Sequence, residues 1–89
     1  MEENLRMRAV ALKYEKEQDA APRVIAAGQG EAAHRIIEKA NASGVPLYQD
    51  GSLAELLVNT TLNTEIPPEL YEAVAEALLF VYRLDQRLR

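Results

Sequence analysis

Cysteine and tryptophan are absent from this 89-residue chain, and histidine and phenylalanine occur once each. Without cysteine there is no disulfide framework, no thiolate nucleophile and no sulfur-ligated metal site. His34 has no second imidazole to join it in the common zinc sets, so no metal and no cofactor are expected. Long hydrophobic runs are also lacking, and no stretch approaches the length of a membrane span. The first residues, MEENLRMR, have no apolar core of the kind a signal peptide needs, so a cytoplasmic protein is expected. Basic excess is missing too. Ten Lys and Arg stand against 14 Asp and Glu, a net charge of −4. Arg6, Arg8 and Lys13 lie among Glu2, Glu3, Glu15 and Glu17, so the positive footprint that nucleic acid requires does not form.

What is present suits one small domain. Hydrophobic residues make up 48% and charged residues 27%, the balance of a globular chain rather than a disordered one. Residues 1–6 read as a flexible N-terminus and residues 7–89 as the domain.

The strongest periodic signal lies at the C-terminal end, from Glu65 to Arg89. Pro67 and Pro68 suit a first helical turn, where a missing N–H costs nothing. Glu69, Glu72 and Glu76 precede Arg83, Arg87 and Arg89, an order that matches the helix dipole. Leu70, Val74, Ala77, Val81, Leu84 and Leu88 recur at spacings of three and four, and Tyr71, Ala75, Leu78 and Tyr82 widen that stripe. This helix is expected to supply the largest share of the core. Leu79 and Phe80 fall on or beside its polar face, which marks them as contacts for a partner or for another part of the chain.

Before that helix, Met7–Tyr14 alternates like a strand buried through Val10, Leu12 and Tyr14. Pro22–Ala27 reads as a second strand led by a proline. Glu31–Ser43 follows as a helix buried through Ala33, Ile36, Ile37 and Ala40, with Gly44 placed to end it. Val45–Tyr48 reads as a third strand. Ser52 and Glu55 form a capping box for a short helix over Leu53–Val58. Strand, helix and strand from Pro22 to Tyr48 make one crossover, so the second and third strands are expected to be parallel neighbours. The fold class is α/β: a small three-stranded mixed sheet packed with helices, with a long C-terminal helix.

Signals for chemistry are sparse. Gly28-Gln29-Gly30 between strand and helix hints at a phosphate cradle, yet turn chemistry accounts for it better. His34 shares the polar side of its helix with Glu31 and Glu38. Ser43 and Ser52 lack a basic partner that would make either a nucleophile. Glu72 and Glu76 sit on a solvated face, without the burial that suits acid–base work. The residues describe a binding module with no catalytic site.

Four stretches, Ala9–Glu15 (AVALKYE), Ala21–Ile36 (APRVIAAGQGEAAHRI), Gly44–Leu57 (GVPLYQDGSLAELL) and Ile66–Leu84 (IPPELYEAVAEALLFVYRL), resemble the cytoplasmic domain of the FlhB/YscU family. Those are the export-switch proteins of flagellar and virulence type III secretion. The resemblance implies N-terminal membrane helices, which this chain lacks, so it looks like a stand-alone cytoplasmic domain. It also implies a self-cleaving Asn-Pro-Thr-His motif. Here the matching positions are Asn4, Leu5, Arg6 and Met7, which keep only the Asn, so no cleavage is expected. The resemblance also implies a strand before that motif, for which the chain starts too late, so the edge of Met7–Tyr14 is expected either to accept a strand from a partner or to be covered by Glu2–Leu5.

The same resemblance implies an apolar patch that reads export substrates, at Ala21, Pro22, Ala75 and Leu78. The function it implies is a non-catalytic binding module of the flagellar export apparatus, partnered by export-gate proteins and export substrates. Such a module would be a monomer that reaches the membrane only through those partners. The alternatives are an autocleaving specificity switch and a regulatory domain reusing the fold outside secretion.

Overall fold

The computed structural model describes residues 7–15 and 17–88, with side chains described through Arg83. Strand β1 is Arg8–Lys13 and β2 is Arg23–Gln29. Helix α1 is Glu31–Ala42 and α2 is Gly51–Leu57. A two-residue strand β3, Thr64–Glu65, precedes a 3₁₀ turn, Pro68–Leu70, and the last helix α3, Tyr71–Leu88. The sheet order is β1-β2-β3.

The α/β class and the count of three strands agree with the sequence reading, but the third strand is a different one and the sheet is not mixed. Both pairings are antiparallel. Thr64–Glu65, not Val45–Tyr48, lies beside β2, pairing with Val24 and Arg23. The ladder is extended on both sides by Asn63 N–H to the Val24 carbonyl at 2.7 Å and Ile66 N–H to the Pro22 carbonyl at 2.8 Å.

The failure of Val45–Tyr48 to become a strand has a local cause. Gly44, at φ 71, closes α1 in a Schellman arrangement: its N–H reaches the Asn41 carbonyl, and the Val45 N–H reaches the Ala40 carbonyl at 2.8 Å. Val45 has thus given its donor to the helix end, and Pro46 has none to give. The next capping group is Asp50, whose carboxylate accepts the Leu53 N–H at 3.1 Å. Asp50, rather than Ser52, is therefore the N-cap of α2, and the helix starts two residues earlier than the sequence suggests.

The strands β1 and β2 form two unlike faces. Ala9 and Ala11 alternate with Val10 and Leu12 along β1. Ala9 pairs with Gly28, and Ala11 with Ala26, so one face carries small residues along this part of the ladder. Helix α1 packs on β1 and β2, and Gly28 comes so close to it that a Cβ there would stand 2.7 Å from the Ala32 Cβ. Ala33 is fully buried under this contact. On the other face, Val10, Leu12 and Ala27 pack against a cluster of Ala21, Val24, Leu53, Leu57, Ile66, Val74 and Ala77. A register shift between Ala11 and Leu12 makes Ile25 the extra residue of a bulge, which lets Val24 and Ala27 serve the same face while Ile25 is exposed.

Helix α3 gives this cluster Val74 and Ala77, with Leu78 at its margin along with Leu70 of the preceding 3₁₀ turn. Among the described residues these two members are no more than α2 gives with Leu53 and Leu57. Tyr71, Ala75 and Tyr82, expected to widen its buried stripe, are exposed. Tyr14 is exposed as well, and Ala9 rather than Tyr14 is the buried residue of the first strand. The expectations for residues 1–6 and for the side chains of Leu84, Arg87, Leu88 and Arg89 lie outside the described residues.

The connection from β1 to β2 is held by charge. The Asp19 side chain is nearly buried, accepts the Glu15 N–H at 2.9 Å and stands 3.2 Å from the Arg23 guanidinium. The Glu65 carboxylate accepts the Ala20 N–H at 3.1 Å, tying the same connection to β3.

Candidate functional site

Helix α3 and the start of β2 carry the four residues of the expected substrate patch. Ala21 stands immediately before Pro22 and β2, and its methyl is only 3% exposed within the central cluster. Pro22 is half-buried, and its carbonyl is held by Ile66. On α3, Leu78 is half-buried at the margin of the same cluster, and Ala75, nearly one turn earlier, is exposed. The fold thus joins Ala21 and Leu78 through one packed core. A partner can touch Pro22, Ala75 and Leu78, whereas Ala21 is buried in the cluster that Leu78 borders.

The accessible part of this surface is larger than the sequence implied. With about 100° of rotation per residue, Tyr71, Ala75, Leu79 and Tyr82 fall on one strip of α3, adjoining Leu78. All four are exposed, Tyr82 by 60%. An aromatic placed at a helix spacing that also fits the core cannot be told from a core residue by periodicity alone. The exposed strip was hidden in the sequence for that reason. Glu72, Glu76 and Arg83, all exposed, border it on the side away from the core.

Phe80 belongs to the opposite flank of the helix. Its ring meets that of Tyr48 edge-on, with centroids 5.3 Å apart and planes at 65°. This contact pins the irregular Val45–Asp50 segment against α3. Of the two residues marked as partner contacts, Phe80 therefore has a partner within the chain, although half its surface remains exposed, and Leu79 lies on the open strip.

Gly30 begins α1 with φ 60 and ψ −123, a conformation open to glycine alone, and its N–H donates to the Met7 carbonyl at 2.9 Å. Gly28 and Gly30 thus serve close packing and a turn, as the sequence reading favoured. His34 is exposed on α1. No group of three His, Cys, Asp or Glu among the described residues is arranged to hold a metal ion. Of the expected cleavage positions, Asn4, Leu5 and Arg6 lie outside the described residues, and Met7 leads directly into β1. No helix among the described residues is long and apolar enough to cross a membrane.

A two-faced antiparallel sheet and a last helix with an apolar flank left open make a small α/β domain. The chain belongs to the FlhB HrpN YscU SpaS family, whose sequence model matches residues 6–81. It is 46% identical over 82 residues to YlqH of Bacillus subtilis, an alignment covering 92% of this chain and 88% of that protein. It is 40% identical over 74 residues to the flagellar biosynthetic protein FlhB of Aquifex aeolicus, covering 82% of this chain but 21% of that protein. The chain therefore spans about a fifth of the length of such FlhB relatives. In three dimensions it matches the cytoplasmic domain of FlhB from Shewanella putrefaciens with a TM-score of 0.80 and 36% identity, covering 86% of this chain and 65% of that one.

Proposed function

We propose that this protein is a non-cleaving binding module of the flagellar type III export apparatus, acting in the cytoplasm on the same substrates as the FlhB cytoplasmic domain. The observation that carries this reading is the open apolar flank of α3 beside Leu78, continuous with a core built on Ala21. A shallow apolar surface framed by charge suits weak capture of short apolar segments, the kind of contact an export machine must release. Pro22, Ala75 and Leu78 would touch the substrate, and export-gate proteins would be the further partners. The flagellar branch is favoured because the AVALKY and AVAE stretches fit it, and FlhB proteins recur among the relatives.

Complementation tests the proposal. The chain is supplied to cells whose FlhB keeps its membrane helices but lacks its cytoplasmic domain, and swimming and secretion of hook and filament subunits are scored. Restored export is expected. Failure by a soluble, folded chain would remove the substituting role and favour a regulatory domain.

The absence of self-cleavage rests on Leu5, Arg6 and Met7 standing where the family motif has Pro, Thr and His. After prolonged incubation at neutral pH the intact mass should remain near the 9.9 kDa of the sequence. A stable break after Asn4 would restore the alternative of an autocleaving switch.

A further inference from the structure

The open strip of α3 carries charge that is complementary to itself. Tyr71 and Tyr82 stand at its two ends, about 16 Å apart along the helix, with Ala75, Leu78 and Leu79 between them. Glu72 lies beside the first tyrosine and Arg83 beside the second, both exposed and both on the same border of the strip. Two such helices laid antiparallel about a two-fold axis between residues 76 and 77 would bring Tyr71 against Tyr82 of the second copy and Ala75 against Leu78. A two-fold axis of this kind keeps like borders together, so each Glu72 would come alongside Arg83 of the second copy. The antiparallel helix dipoles favour the same arrangement. Glu76, near the axis, is turned furthest from the contact of the three charged residues, which keeps its like-charged copy apart. None of the described residues covers the strip.

We infer that this protein self-associates through α3 as an antiparallel dimer, in place of the monomer expected from the sequence. The inference deepens the proposed function and rests on it in one respect: the dimer would bury Ala75 and Leu78. Self-association would then compete with capture of an export substrate, so that the surface opens only where the protein is dilute or a substrate is abundant.

Sedimentation velocity on the full chain, between about 10 μM and about 1 mM, reads the equilibrium directly. The mass should rise with concentration from that of one copy toward that of two, and added salt should weaken association because the Glu72–Arg83 pairs are exposed. Each substitution acts twice in a symmetric interface. Glu72→Arg alone and Arg83→Glu alone should each weaken association about tenfold or more, and the double exchange should restore it. Tyr82→Lys should abolish it while leaving the circular dichroism spectrum unchanged.

A mass of one copy across the whole range would overturn the inference, as would a double exchange no better than its single parents. No export substrate enters this experiment. A negative result therefore leaves the substrate-binding reading standing, and failed complementation leaves the dimer standing.

Discussion

Ala21→Asp is expected to unfold the domain, not to blunt a binding surface. The methyl of Ala21 is 3% exposed and packs with Val24, Leu57, Ile66 and Val74. A carboxylate there would lose its hydration with no described cation in the cluster to replace it. Burying an unpaired charge ranks among the most damaging single changes, and a loss of more than about 3 kcal/mol is expected. A domain of this size holds only about 5–15 kcal/mol in all, so the urea midpoint should fall sharply or the native state be lost. Ala75→Asp is the informative partner. Ala75 is exposed on α3, and Asp costs a helix interior well under about 1 kcal/mol relative to Ala. That variant should remain folded and lose substrate capture. An Ala21→Asp protein as stable as its parent would mean that Ala21 is not part of the core.

Gly28→Val should carry the second large effect, against the preference of strands for valine. Valine at a strand position ordinarily helps, by up to about 1 kcal/mol. At Gly28 a Cβ would lie 2.7 Å from the Ala32 Cβ, 3.0 Å from the Ala32 carbonyl carbon and 3.2 Å from the Ala33 nitrogen. Two of those neighbours are backbone atoms of α1, so relief requires moving the helix away from the sheet. Overpacking of this kind costs about 2–3 kcal/mol and outweighs the strand preference. The comparison is Gly51→Ala in the first turn of α2, where nothing lies within 4 Å of the new methyl. There, stability should hold or rise by up to about 1 kcal/mol, because alanine restricts the unfolded chain. Chemical denaturation of both variants decides the matter, and a Gly28→Val midpoint equal to the parent's would refute the close approach.

The parts of this fold that could be read from sequence are those in which one residue pattern has one structural solution. Alternation in AVAL and the apolar run RVIAA gave the first two strands, and the Gly44 break gave the end of α1 to within a residue. Val45–Tyr48 has the composition of a strand but not the free donors of one: the Val45 N–H is committed to a helix cap, and Pro46 has none. Thr64–Glu65 had no signal at all: two polar, exposed residues become a strand only because β2 offers them an open edge. Asp19 gave no sign of its role as the anchor of the β1–β2 connection, since that depends on Arg23 and Glu15 closing around it. Of the candidate site, the four patch residues came from family resemblance, and three-dimensional packing divided them into a buried Ala21 and an accessible surface. Tyr71 and Tyr82 have the spacing of inward residues, yet helix spacing sets the angle between side chains and does not say where the core ends.

The order β1-β2-β3 also determines how the chain can be divided. The central strand takes one neighbour from the residues just before it and the other from some forty residues later, after two helices have intervened. The residues from Leu53 to Ile66 reach back to complete a cluster begun at Ala21 and Val24. Neither half of the chain therefore closes the main cluster by itself. The domain is expected to unfold as a single cooperative unit, and any exchange of pieces between relatives must carry both ends of the braid together.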